Sequence, residues 1–213
     1  MSRQDELLDN LAKVQSVIPA NVKLIVVTKT YPVSDIEILY NAGVRDFGEN
    51  RDQEGAIKAP QIPSDANWHF QGQIQSNKIP SLIEWADYIH SLDDLDHAKK
   101  FNKRLSSPMK FFIQVSLDNQ VGRGGISPEQ LPDFIDEIER LPMINPVGLM
   151  AVAPVDAVPD EAFAKLEGIK AEITRQYPYI EYLSAGMSND FKVAIRHGAT
   201  HIRVGSSILG SRA

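Results

Sequence analysis

The sequence predicts an α/β fold: a single TIM-type (β/α)8 barrel with an extra N-terminal helix. Short β-rich apolar runs recur about eight times, and helical patterns lie between them, as a parallel sheet requires. The chain has 213 residues, the small end of the range such barrels occupy. A doubly wound open sheet is the alternative, but it usually carries fewer strands. No linker, low-complexity tract or repeat interrupts residues 1–213, which read as a single domain.

Leu7, Leu8, Leu11, Val14 and Val17 stand at helical spacing, predicting an amphipathic helix over residues 4–17 that Pro19 ends. Strands are predicted at residues 24–28, 44–48, 68–72, 88–92, 110–117, 146–152, 182–184 and 201–204. A helix over 34–41 takes Ser34 as N-cap and Gly43 as its stop. The stretch 93–105 begins acidic and ends in Lys99, Lys100, Lys103 and Arg104, as the helix dipole favours. Ser127 and Pro128 read as an N-cap and first helical position. The longest helical pattern, 160–176, is stopped by Pro178.

Composition narrows the function. Net charge is −6 with both signs interspersed, and no basic run exceeds a pair, which argues against nucleic acid as main partner. There is no cysteine, so disulfides, thiolate metal sites and a cysteine nucleophile are excluded. His90, His97 and His197 lack ligand-like spacing, so no metal is expected. The first six residues are polar, without a secretory segment, and no apolar run is long enough for a bilayer. A cytoplasmic protein without membrane contact is the expectation, and a monomer.

Chemistry gathers at strand ends. Lys29 closes the run 24–29 at the carboxyl end of the first strand, where barrels of this type build active sites. Burial there disfavours the ammonium, and a neutral amine can attack an aldehyde. The small-residue turn Ser184-Ala185-Gly186-Met187-Ser188-Asn189-Asp190 follows the seventh strand and leads into a helix. Its backbone N–H groups and the Ser184 and Ser188 hydroxyls suit a phosphate; a capped turn with no ligand is the alternative. Gly205-Ser206-Ser207 follows the eighth strand, and barrels frequently build one phosphate site from these two loops. Arg203 shares a strand face with His201, opposite Ile202 and Val204, facing either the polar mouth or the outside. Asn50 and His69 are candidate polar liners. Gln75-Ser76-Asn77-Lys78 reads as a polar helix start, and Gly122-Arg123-Gly124-Gly125 as a flexible turn.

Together, Val27-Thr28-Lys29-Thr30, Phe47-Gly48-Glu49-Asn50, Trp68-His69-Phe70, Gln75-Ser76-Asn77-Lys78, Gly148-Leu149-Met150, Gly186-Met187-Ser188 and Arg203-Val204-Gly205 resemble the YggS family of pyridoxal phosphate homeostasis proteins. That family is similar in fold to the barrel domain of alanine racemase. The resemblance implies that Lys29 forms the internal aldimine with pyridoxal 5′-phosphate. It implies that Met187 and Ser188 lie in the first phosphate turn, and Gly205 and Ser206 in the second. It sets Arg203 against the pyridine nitrogen and Asn50 close to the cofactor. Arg51, Gln73, Ala185 and Arg123 depart from the commoner family pattern.

The function so implied is intracellular vitamin B6 homeostasis without robust catalysis, with pyridoxal-phosphate-dependent apo-enzymes as recipients. An always-protonated arginine keeps the pyridine nitrogen an acceptor, and the ring is then a poor electron sink. A pyridoxal-phosphate-dependent amino-acid racemase is the alternative. It needs a second proton-transfer group opposite Lys29, a role that Tyr31 cannot be assumed to fill. A barrel binding some other sugar or nucleotide phosphate would leave Lys29 uncommitted.

Overall fold

The computed structural model describes residues 2–118, 120 and 124–210. Eight strands, β1 Lys23–Val27, β2 Asp46–Glu49, β3 Asn67–Phe70, β4 Tyr88–Leu92, β5 Met109–Gln114, β6 Ile144–Met150, β7 Tyr182–Ser184 and β8 His201–Val204, close into a barrel in sequence order. Every pairing is parallel, and β8 closes on β1 from Lys23↔His201 to Val26↔Val204. The helices are α1 Arg3–Gln15, α2 Val33–Asn41, α3 Asp52–Lys58, α4 Ile79–Trp85, α5 Leu95–Arg104, α6 Leu131–Glu139, α7 Pro159–Gln176, α8 Phe191–Arg196 and α9 Ser206–Leu209. The expected (β/α)8 barrel with an extra N-terminal helix is the fold observed.

Helix α1 starts in a capping box between Ser2 and Asp5, which satisfies two amides at its N-terminus. It buries Leu7, Leu11 and Val14. Arg3 ties it to its neighbours, reaching the Asp35 carboxylate at 2.6 Å and the Leu209 carbonyl at 2.9 Å.

Several boundaries differ from expectation. Ser34 lies inside α2; Pro32 occupies the cap with no side-chain bond, because its fixed extended geometry already sets the entry. Ser127 likewise caps with backbone only, and a 3-10 turn over Pro128–Gln130 precedes α6. The fifth strand stops at Gln114, and beyond it Val115 makes an isolated bridge to Ile126. The sixth begins earlier, at Ile144, and accommodates Pro146 at a break in register. Partners run Phe111↔Pro146 and then Phe112↔Gly148, so the residue lacking an N–H sits where the ladder skips.

The core has two parts. A large cluster, including Phe47, Phe101, Phe111, Phe163 and Leu166, fills the layer between sheet and helices. Inside the ring a smaller group, Phe112, Val147 and Met150 with Tyr88 against it, shares space with buried His69, His90, His201, Ser184 and Arg203. Barrel interiors are ordinarily dominated by branched apolar side chains. This one is polar along much of its length.

Candidate functional site

A pocket of about 820 Å3 opens at the carboxyl ends of the strands. Lys29, Asn50, Met187, Ser188, Arg203, Gly205 and Ser206, all chosen from the sequence, line it together. Val152, Pro154, Val155 and Ala157 from the segment after β6 form an apolar wall.

Lys29 is half-buried, one residue past Thr28, and its segment is held on both sides. Thr28 Oγ1 donates to Glu49 Oε1 at 2.6 Å, and Lys58 Nζ donates to the Thr28 carbonyl at 2.9 Å. On the other side the Thr30 N–H donates to Glu54 Oε2 at 2.6 Å. Lys58 Nζ joins the two carboxylates, 2.8 Å from each. Thr30 has φ 70°, a left-handed conformation uncommon for a β-branched residue, so backbone strain sits beside the amine. Burial pushes the Glu49 carboxyl up from its ordinary value, against the bonds from Lys58 and Thr28. Burial acts the same way on Glu54, but Lys58 and the Thr30 amide together bring it below its ordinary value. Glu49 Oε2 is buried with no partner among the described residues.

Sequence reasoning missed this clamp, together with the helix α3 that supplies Glu54 and Lys58. The signal was present: Glu54 and Lys58 are an i,i+4 acid–base pair directly after the Asn50 segment.

The two small-residue turns meet at Ser188. Its Oγ accepts from the Gly205 N–H at 3.2 Å and the Ser207 N–H at 3.3 Å, while Ser207 Oγ donates to the Ser188 carbonyl. A hydroxyl that accepts twice keeps its own proton for another acceptor. Met187 enters differently from expectation. Its N–H donates to Asp190 Oδ1 at 2.6 Å, and its side chain stands 41% exposed on the rim. The carboxylate therefore occupies one amide that the turn was expected to offer an anion.

Arg203 points inward rather than outside. Nη1 donates to the Ser184 carbonyl at 2.8 Å and to Ser184 Oγ at 2.7 Å, and Nη2 to the Ala151 carbonyl at 3.0 Å. Burial lowers the guanidinium to about 10, with Asp190 opposing, so it stays charged at neutral pH. Ser184 is fully buried against Arg203 and lies outside the pocket lining. His69 lies deeper than a pocket liner, bonded to Asp46 and His90. Gln71 lines the pocket, and its buried Nε2 has no partner among the described residues. Gly48 makes room for it, since a Cβ there would stand 2.6 Å from that nitrogen. The segment Gln75–Lys78 starts a helix: Ser76–Lys78 is a 3-10 turn running into α4. Arg123 lies outside the described residues.

Residues 3–213 match the alanine racemase N-terminal domain family. A pyridoxal phosphate homeostasis protein of Corynebacterium glutamicum is 38% identical, with 90% of this chain and 91% of that one covered. Another, from Mycobacterium leprae, is 34% identical over 98% of this chain and 93% of its own. The chain belongs to the pyridoxal phosphate homeostasis protein family. Family structure agrees: PipY of Synechococcus elongatus, solved with PLP bound, superposes with a TM-score of 0.88 at 34% identity, covering 96% of this chain and 100% of that one. The same protein without PLP gives 0.91. Alanine racemase of Corynebacterium glutamicum shares the fold at a TM-score of 0.80 and 13% identity, with 96% of this chain and 60% of that one covered. No helix among the described residues is long and apolar enough to cross a membrane.

Proposed function

We propose that the pocket binds pyridoxal 5′-phosphate through a covalent bond to Lys29 and that the chain serves vitamin B6 homeostasis rather than catalysis. The observation that carries this is the convergence of one lysine, one buried arginine and two small-residue turns on a single pocket. The residues fit the ligand. Bonds of 3.2 and 3.3 Å from the Gly205 and Ser207 amides to Ser188 Oγ are long, and a phosphate oxygen between the turns would accept stronger, charge-assisted ones. Gln71 Nε2 and the free hydroxyl proton of Ser188 are further donors on the same surface.

Lys29 would hold the group: its amine would condense with the aldehyde, and the aldehyde oxygen would leave as water. The bound group supplies an aldehyde and an electron-withdrawing ring. Arg203, a donor held at the pocket floor, would favour an unprotonated ring nitrogen and so limit that withdrawal. Tyr31 also lines the pocket, and its hydroxyl proton is committed there to the Gly210 carbonyl at 2.6 Å. The same reading takes residues 1–213 as one cytoplasmic binding domain, a monomer, that hands the cofactor to apo-enzymes.

The test is to incubate the protein with pyridoxal phosphate, reduce with borohydride and map the labelled peptide. Label on the peptide containing Lys29, lost in Lys29→Ala, is the expected result. A colourless, unlabelled protein would falsify the cofactor assignment. Solvent-deuterium incorporation at the α-carbon of alanine separates carrier from racemase: Lys29-dependent exchange at enzymic rates overturns the non-catalytic part alone.

A further inference from the structure

Below the pocket, inside the ring, polar side chains from five strands form one continuous row. Asp46 opens β2, His69 stands in β3, His90 in β4, Ser184 ends β7 and Arg203 lies in β8. Asp46 Oδ1 is 3.0 Å from His69 Nε2, and His69 Nδ1 is 2.9 Å from His90 Nε2. His90 Nδ1 is 2.9 Å from Ser184 Oγ, which accepts from Arg203 Nη1 at 2.7 Å. Lys23 Nζ holds the far end, 2.9 Å from Asp46 Oδ1.

The two ends fix the direction of every bond between them. A guanidinium only donates and a carboxylate only accepts. Asp46 therefore requires the proton of His69 on Nε2. A neutral ring then has a bare Nδ1, which only His90 Nε2–H can fill. His90 is left with a bare Nδ1 that takes the Ser184 hydroxyl proton, and the Ser184 oxygen faces Arg203. Neutral rings admit no other assignment that uses all the contacts. Both rings are buried between aromatics, His69 stacked on Tyr88 at 4.4 Å and His90 on Phe112 at 4.3 Å, surroundings that disfavour an imidazolium. Burial lowers both histidines, His90 well below its ordinary value.

We infer that Asp46, His69, His90 and Ser184 are positioning residues whose one-way row of hydrogen bonds fixes the Arg203 guanidinium in the pocket floor and couples its orientation to the carboxylate of Asp46. Turning the guanidinium out of plane breaks its bond to Ser184 and frees a hydroxyl that His90 needs. The row thus holds a ligand-facing cation from a place the ligand never reaches.

Nitrogen-15 NMR of the ligand-free protein tests this without any cofactor, so its outcome is independent of the pyridoxal phosphate assignment, which the borohydride experiment decides. Both histidines should be neutral with the proton on Nε2 across the neutral pH range. An Nδ1–H tautomer or an imidazolium in either ring overturns the inference. Transmission is read at Arg203, whose Nη signals should be resolved by slow rotation in the parent. They should merge in His90→Phe, a position bonded to His69 and Ser184 rather than to Arg203, and separate again in His90→Gln, whose amide can donate to His69 and accept from Ser184. Unchanged Arg203 signals in a folded His90→Phe protein overturn it. If that variant does not fold, Ser184→Ala takes its place with the same expected merging and the same overturning result.

Discussion

At Gly186 the backbone takes φ +88°, and a Cβ there would stand 2.7 Å from both Phe191 Cα and Ala194 Cβ. Strain and collision act together, so Gly186→Ala should cost about 3 kcal/mol in urea unfolding. A loss below about 1 kcal/mol would show that the turn relaxes easily. Two residues on, Ser188→Ala removes one charge-assisted donor and should weaken pyridoxal phosphate retention about tenfold by equilibrium dialysis. Unchanged retention would remove Ser188 from the phosphate site. At this scale the sequence revealed which residues reach the mouth, because strand ends and alternate faces are legible in a β-rich run. Depth was not. Ser184 and His69 share a face with ligand-lining neighbours, yet they lie lower in the ring, and only the register of adjoining strands reveals that. The carboxylate of Asp190 on the Met187 amide was hidden for the same reason, since it depends on how the turn folds back.

Helix α3 illustrates what a short element can do. Lys58 Nζ holds the Glu49 and Glu54 carboxylates and the Thr28 carbonyl, so α3 braces the backbone on either side of Lys29. Removing the ammonium leaves Glu49, fully buried, with an uncompensated charge. Lys58→Met should therefore cost about 3–5 kcal/mol, and adding Glu49→Leu should recover most of it. Equal stability of the single variant and the parent would count against the clamp. A seven-residue helix with one glycine carries little apolar periodicity, which is why α3 escaped the sequence reading. The longer α1, α5 and α7 were legible from spacing, caps and charge order. The entry of α2 moved because proline, not serine, set it.

For the molecule as a whole, the polar interior makes stability depend on acid. Burial lowers His69 and His90, and lowers His201 to about 3, from an ordinary 6.5. The unfolded chain therefore binds protons that the folded one refuses. The stabilisation is complete above about pH 6.5 and is lost as pH falls toward the folded values, on the order of 1 kcal/mol per pH unit for each ring. Glu49 and Asp93, whose carboxyls burial raises, and His197, raised by its bonds to Glu167 and Asp160, act in the opposite sense. Urea midpoints should fall steeply between about pH 6.5 and pH 5, and a flat profile would mean that the rings are hydrated. The barrel itself was legible because eight β-rich runs can alternate with helices in few ways, whereas nothing in local pattern announces a histidine-filled lumen. Because β8 pairs back onto β1, the sheet has no exposed border for another polypeptide to extend. Any macromolecule that engages this protein must grip loops or helix surfaces, and side chains rather than ladder amides will set its choice.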